Sequence, residues 1–236
     1  MLLGSANLVP LETFDNAEYL FYTGLIDLNT YNAFLSRERQ IQTLYTAENY
    51  QGALAAYDAY QARVKSTTGY DSLHNLVKLT DDYDGFYRTY IASENVREAL
   101  HVGDATFSDG SAARNKLKPV LFRPYLDGIQ YLLRNGNFSV LFYSGNLDMQ
   151  FPYRGSGVEQ YTDIIYPSRE QYLDASRGYW NDGTVSEAYG QVGGNLYELL
   201  IRNAGRRVGR EKRILAQEMV ARFTQGTLSE RLEYLE

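Results

Sequence analysis

Val140-Leu141-Phe142-Tyr143-Ser144-Gly145-Asn146-Leu147-Asp148-Met149 is an apolar run that ends at a Gly turn and delivers a carboxylate. An apolar run bounded by a turn signal predicts a core strand over 138–144. Further along, a second strand over 196–202 runs into Asn203-Ala204-Gly205-Arg206-Arg207. If the two strand ends lie together, Asp148 can pair with Arg206 across them, a carboxylate held beside a cation.

Around this pair the chain has room for one substantial core, or a core plus a cap, in its 236 residues. A hydrophobic share of 44% with 22% charged residues argues against wholesale disorder. The net charge of −6 favours solubility and says little about partners. There is no cysteine, which excludes disulfides and Cys-ligated metals. The two histidines, His74 and His101, lack metal-ligand spacing, so neither a metal nor a cofactor is expected. Tyrosine is the compositional oddity at 22 residues, suited either to an interface or to a core with wet edges. Met1-Leu2-Leu3-Gly4 is too short an apolar run for a signal peptide, and no stretch has the roughly 20 apolar residues of a membrane span.

The first third reads as helical. Asp15-Asn16-Ala17-Glu18 has the spelling of a capping box, opening a helix that stops around Asp27. Asn29 or Thr30 can cap a second helix through Tyr31, Phe34, Leu35, Ile41 and Leu44, and a third covers 47–66. The stretch 66–85 reads as polar loop, a short helix follows over 93–100, and another covers 112–134, bent or started by Pro119 and Pro124. After strand 138–144 come a loop and helix to about 165, a Gly-rich hairpin over 178–193, strand 196–202 and a last helix over 208–224. The expected architecture is α/β, a few parallel strands with flanking helices plus a helical cap. Its divisions are 1–11, end of a core strand and turn; 12–105, cap; and 106–236, α/β core.

The order and spelling of these segments resemble the serine carboxypeptidase family, nearest the vitellogenic-like carboxypeptidases. Leu3-Gly4-Ser5-Ala6-Asn7-Leu8-Val9-Pro10 is similar to its Ile-Gly-Asn-Gly-x-x-Asp-Pro turn, and Tyr19 to Asp27 to the start of its cap. Asn95 to Gly103 is similar to its Val-Arg-x-Ala-Leu-His-Val helix. Tyr143-Ser144-Gly145-Asn146-Leu147-Asp148 resembles the Tyr-x-Gly-x-x-Asp turn that carries the catalytic Asp. The resemblance implies the C-terminal part of an α/β-hydrolase fold and places Asp148 at the family's Asp. Arg202-Asn203-Ala204-Gly205 then precedes what would be His-Met-Val-Pro, so Arg206 falls at the family's His. Arg207, Gly209 and Arg213 depart from the family spelling as well.

A Ser-His-Asp triad needs a nucleophile, a base to take its proton and a carboxylate to orient that base. The family's Ser stands on a Gly-x-Ser-x-Gly elbow, which this chain does not contain; Gly155-Ser156-Gly157 is the nearest string. An arginine stays protonated at physiological pH and is no base. Three functions are therefore weighed. The first is a non-catalytic, carboxypeptidase-like protein acting by binding or association. The second is one chain of a two-chain serine carboxypeptidase that removes C-terminal residues from peptides. The third is a truncated piece without selected function. An α/β-hydrolase lacking its first half would present an unpaired apolar sheet edge, so self-association or a companion chain is expected.

Secondary features are weaker. Arg202, Arg206, Arg207, Arg210, Lys212 and Arg213 gather six of the chain's 23 basic residues, relieved by Glu211, and could dock an acidic partner. No aromatic interleaving points to nucleic acid. His101 matches a family histidine outside the triad, Trp180 the family's hairpin tryptophan, and Asn137-Phe138-Ser139 is a glycosylation sequon that matters only in a secreted protein. The family is secreted or lysosomal and vacuolar, an expectation that the chain's first residues do not support.

Overall fold

Strands β2 (Val140–Gly145) and β5 (Leu196–Ile201) run parallel, register Val140 against Leu196 and Gly145 against Ile201, and form the centre of a mixed sheet. The computed structural model describes residues 1–6, 15–80, 86–105, 107–108, 110–135, 138–153, 164–181 and 186–234. Both strands are apolar without alternation because both faces of the sheet are covered. Val140 and Phe142 point into one core, Leu141 and Tyr143 into a second on the opposite face.

The sheet order is β1-β2-β5-β4-β3-β6. Strand β1 (Leu2–Gly4) is parallel to β2, whereas β3 (Gly178–Asn181), β4 (Ser186–Gly193) and β6 (Leu232–Glu233) complete the sheet antiparallel. Trp180 on β3 is fully buried and donates its indole N–H to the Leu228 carbonyl at 3.1 Å, so its role is packing.

One face carries three helices from the first third of the chain: α1 (Asn16–Tyr22), α2 (Leu28–Thr46) and α3 (Tyr50–Thr68). Asp15 makes no side-chain cap to α1, so the capping-box spelling does not form one. Helix α2 starts two residues earlier than expected, capped by Asp27, whose carboxylate accepts from Thr30 N at 2.7 Å. Asn49 caps α3 and Gly69 closes it in the left-handed conformation. The buried stripe of α2 is Phe34, Glu38, Ile41 and Tyr45, so a carboxylate stands where the 3.6-residue period calls for an apolar side chain. Glu38 accepts from Ala17 N at 2.7 Å and from the Tyr60 hydroxyl at 2.8 Å, while Asn16 Nδ2 donates to the Met149 carbonyl beside β2. Burial pushes the Glu38 carboxyl up to about 7 against these two hydrogen bonds.

The same core continues from these helices into Val140, Phe142, Met149 and Leu196, beneath α7 (Leu126–Arg134) and α8 (Arg169–Asp174). The expected helix over 112–134 is two helices, α6 (Ser111–Leu117) and α7, with Pro119 and Pro124 in the break between them. Helices α4 (Phe86–Ala92), α5 (Glu94–Ala99) and α6 lie outside this core. On the opposite face α9 (Val208–Glu211) and α10 (Arg213–Gln225) replace the single helix expected over 208–224, interrupted at Lys212. Gly155-Ser156-Gly157 and Asn137 lie outside the described residues, as does the helix expected to about 165 except for its last residues, 164 and 165, which are not helical.

The tyrosine excess is distributed. Tyr45, Tyr57, Tyr60, Tyr70, Tyr166 and Tyr172 are buried, and the hydroxyls of Tyr70 and Tyr166 donate to the Leu76 and Gly193 carbonyls. A buried carboxylate, Glu198 of β5, accepts from the Tyr172 hydroxyl at 2.5 Å and faces Arg177 at 3.4 Å. Its neighbours hold it against the desolvation that raises its pKa.

Gly145 is where β2 must touch the turn after β5. A Cβ added there would meet the Ala204 carbonyl oxygen at 2.1 Å and that of Gly205 at 2.2 Å, and backbone cannot give way as a side chain can. Gly145→Ala should lower the unfolding free energy by on the order of 3 kcal/mol in urea titrations. A loss below ~1 kcal/mol would mean that the two turns separate without consequence.

Candidate functional site

The carboxyl ends of β2 and β5 meet through their backbones. Asn146 N donates to the Ile201 carbonyl at 3.0 Å and Leu147 N to that of Ala204 at 2.8 Å. Asn203 adopts a left-handed φ of 54° in the second turn, a conformation that Asn tolerates. A third segment, 72–76, threads between the turns. Met149 N donates to Leu73 O at 3.1 Å, Leu76 N to Leu147 O at 2.8 Å and Arg206 N to His74 O at 2.7 Å. Glu211 of α9 closes the group from below, its Oε2 accepting from Gly205 N at 2.6 Å and Asn75 Nδ2 at 2.7 Å.

This knot puts Asp148 and Arg206 face to face. Asp148 is fully buried; its Oδ1 accepts from the backbone N–H groups of Gln150 at 2.9 Å and Phe151 at 3.1 Å. Its Oδ2 looks at Arg206 Nη1 across 3.6 Å, an ion pair too long for a hydrogen bond. The guanidinium lies over the Phe151 ring, 4.6 Å from its centroid, and 30% of the Arg206 side chain stays exposed. Burial wins the contest over the proton. It pushes the Asp148 carboxyl up to about 6, against the pull of Arg206, the two amides and the nearby Ser5 hydroxyl. Ser5 Oγ favours the charged form by its dipole, yet sits short of a formed hydrogen bond.

The wall opposite the strand ends comes from the helices. Phe151 stacks on Tyr57 of α3 at 6.0 Å between centroids and 14° between planes. Tyr19 of α1 has its phenol pushed up to about 12, chiefly by burial and then by the charge on Asp148. Neither aromatic wall nor the 72–76 segment was foreseen from the sequence. His74 carries no motif, and its part here is played by its backbone carbonyl, for which no side-chain signal exists. His101 stands apart: it is exposed at the end of α5 with a left-handed φ of 54°.

The cations of the basic run have separate neighbours. Arg206 turns to Asp148, Arg202 lies 5.8 Å from the Tyr189 ring centroid, and Lys212 reaches Glu187 at 3.7 Å. Arg207 and Arg210 line a common cleft with Lys78 and Glu211. Chemically, the strand ends hold a buried carboxylate and a permanent cation. Such a pair orients and neutralises, and its guanidinium stays protonated and is not itself a base. No helix among the described residues is long and apolar enough to cross a membrane.

The elevated Asp148 value fixes the sign of a pH effect. An unfolded chain loses the Asp148 proton near 3.9, while the fold holds it to about 6, so stability falls as pH rises between these values and levels off above them. The drop is about 3 kcal/mol, and Asp148→Asn should remove it from the urea-unfolding profile. Glu38, held up to about 7, contributes a slope of the same sign, so the difference between wild type and variant is the quantity to read. Arg206→Ala should cost about 3 kcal/mol at pH 8, where Asp148 is charged and would be left buried without its cation, and less at pH 4.5. Equal losses at both pH values would show that the guanidinium acts by packing on Phe151 alone.

A profile of the family described as Serine carboxypeptidase matches residues 9–226. The Vitellogenic carboxypeptidase of Aedes aegypti is 29% identical over 238 aligned positions, covering 95% of this chain and 50% of that protein. The Venom serine carboxypeptidase of Apis mellifera is 27% identical, again over 95% and 50%. Among solved structures, Kex1(delta)p, a prohormone-processing carboxypeptidase from Saccharomyces cerevisiae, superposes with a TM-score of 0.72 at 15% identity, covering 95% of this chain and 54% of that one. The mixed sheet and its flanking helices therefore have the serine carboxypeptidase, α/β-hydrolase fold. The chain spans about half the length of these relatives. With the match running through the helices, both strand ends and the last helix, this chain belongs to the serine carboxypeptidase family.

Proposed function

We propose that this chain uses the serine carboxypeptidase scaffold for binding and not for peptide hydrolysis. The observation that carries the reading is the Arg206–Asp148 pair at 3.6 Å. By the family's spelling, Arg206 stands where an imidazole would sit between the carboxylate and the nucleophile. General-base catalysis needs a group that exchanges a proton near neutral pH, and a guanidinium stays charged there. The reading rests on the base position alone and holds whichever polypeptide supplies a serine.

The test is direct. The purified protein is incubated with an N-blocked dipeptide and, separately, with a serine-directed phosphonate. Release of the C-terminal amino acid no faster than the buffer blank, and no covalent label, are expected. Turnover, or stoichiometric labelling of a serine, would overturn the reading.

A second reading is favoured by length: the chain covers half of each relative, as one chain of a two-chain carboxypeptidase would. That enzyme would need its base from the companion polypeptide, since Arg206 cannot serve. Hydrolysis that appears only with a co-purifying chain, and survives Arg206→Ala, would identify it.

A further inference from the structure

Helices α4 and α5 contribute to neither core, and no residue of 87–105 is buried. The chain nevertheless carries large apolar side chains here: Leu100, Val102 and Phe107 are 54%, 41% and 38% exposed. With Ile91 of α4 they line a cleft of about 500 Å³, within the range of roughly 300–1,000 Å³ that small-ligand sites occupy.

Local bonds give the cleft its shape. His101 and Gly103 adopt left-handed φ angles of 54° and 55°, which turn the chain back after α5. Val102 N donates to Arg97 O at 3.2 Å, Ala105 N to Val102 O at 3.2 Å, and the Arg97 guanidinium to the Gly103 carbonyl. The Tyr87 ring meets Phe107 edge-on, 5.8 Å between centroids and 83° between planes, and so joins α4 to the far wall.

The charges are one-sided. Among the described residues Arg88 and Arg97 are the charged members of the lining, and neither forms an ion pair. Arg88 lies 5.7 Å from the Tyr87 ring centroid, and Arg97 spends an N–H on Gly103. The carboxylates of Glu94, Glu98 and Asp104 line a separate cleft, which Arg97 also borders. A bare anion would gain nothing from the apolar floor, and a cationic amphiphile would meet two like charges. An apolar chain ending in a carboxylate satisfies both: its methylenes leave water, and its head meets two guanidinium forks.

We propose that the cleft between α4 and the 100–108 segment binds a free fatty acid, its carboxylate held by Arg88 and Arg97. The assignment goes beyond the reading of Asp148 and Arg206 and does not depend on it, since the cleft shares no residue with the strand-end site. A failure of either test leaves the other standing.

The experiment titrates decanoate, held below its micelle concentration, into the 15N-labelled protein at pH 7, with 1-decanol and decyltrimethylammonium as comparisons. Saturable shifts confined to amides of 87–105 and 107–108 are expected for decanoate, with weaker binding of the other two. The Arg88→Gln/Arg97→Gln double variant should weaken decanoate at least about tenfold and change 1-decanol less than about twofold. Because Arg97 also holds Gly103, Arg88→Gln alone is read as well, and should weaken decanoate measurably with an unchanged circular dichroism spectrum. Leu100→Asn should weaken both decanoate and 1-decanol. Arg114→Gln, whose side chain pairs with Asp58 outside the cleft, should change decanoate affinity less than about twofold. Absence of saturation overturns the proposal, as does comparison-ligand binding as tight as that of decanoate, or a decanoate affinity untouched by Arg88→Gln.

Discussion

Everything at the functional end of this molecule depends on the contact between two backbones. The turns after β2 and β5 exchange hydrogen bonds from Asn146 and Leu147 to Ile201 and Ala204, at a separation that leaves no space for a side chain on Gly145. Parallel neighbours end side by side, so whatever each strand carries past its last residue is delivered to one place. The 72–76 segment then makes three more backbone bonds to the same two turns. The position of Asp148 relative to Arg206 is thus set by main chain, and the two side chains inherit it.

Three buried carboxylates, Glu38, Asp148 and Glu198, show how the fold keeps charge away from water. Each has its pKa raised by desolvation, and each is supplied with donors that oppose the shift: Tyr60 and Ala17, the Gln150 and Phe151 amides with Arg206, and Tyr172 with Arg177. The differences lie in the partner. Tyrosine hydroxyls give short bonds to Glu38 and Glu198, whereas Arg206 approaches Asp148 at a distance that supplies field without a bond.

Much of the architecture is legible in the sequence. The runs 140–145 and 196–201 announce buried strands because both faces are covered, and the Gly-Asn-Leu-Asp spelling places the carboxylate at a strand end. What escaped has physical causes. Glu38 interrupts the apolar stripe of α2 while being among its most buried residues, so periodicity alone reads it as surface. Asp27 caps α2 two residues before Asn29, the first of the expected caps, and Asp15 matches a capping box without forming one. His74 acts through its carbonyl oxygen, which no side-chain pattern can reveal.

The hydrogen bond from Asn16 to the Met149 carbonyl joins the start of α1 to the residue after Asp148, and Glu38 locks the same helix start to α2 and α3 through Ala17 and Tyr60. These contacts span more than 130 residues of chain at their widest, between groups inaccessible to solvent. Opening the strand-end turn exposes the polar groups of the helices, and loosening the helices strips the turn of a donor. The helical layer and the strand-end turn consequently form one cooperative opening unit, whose amides should exchange with solvent together and at a similar free energy. A residue in the middle of α2 is therefore as much a part of the Asp148 turn as its immediate neighbours.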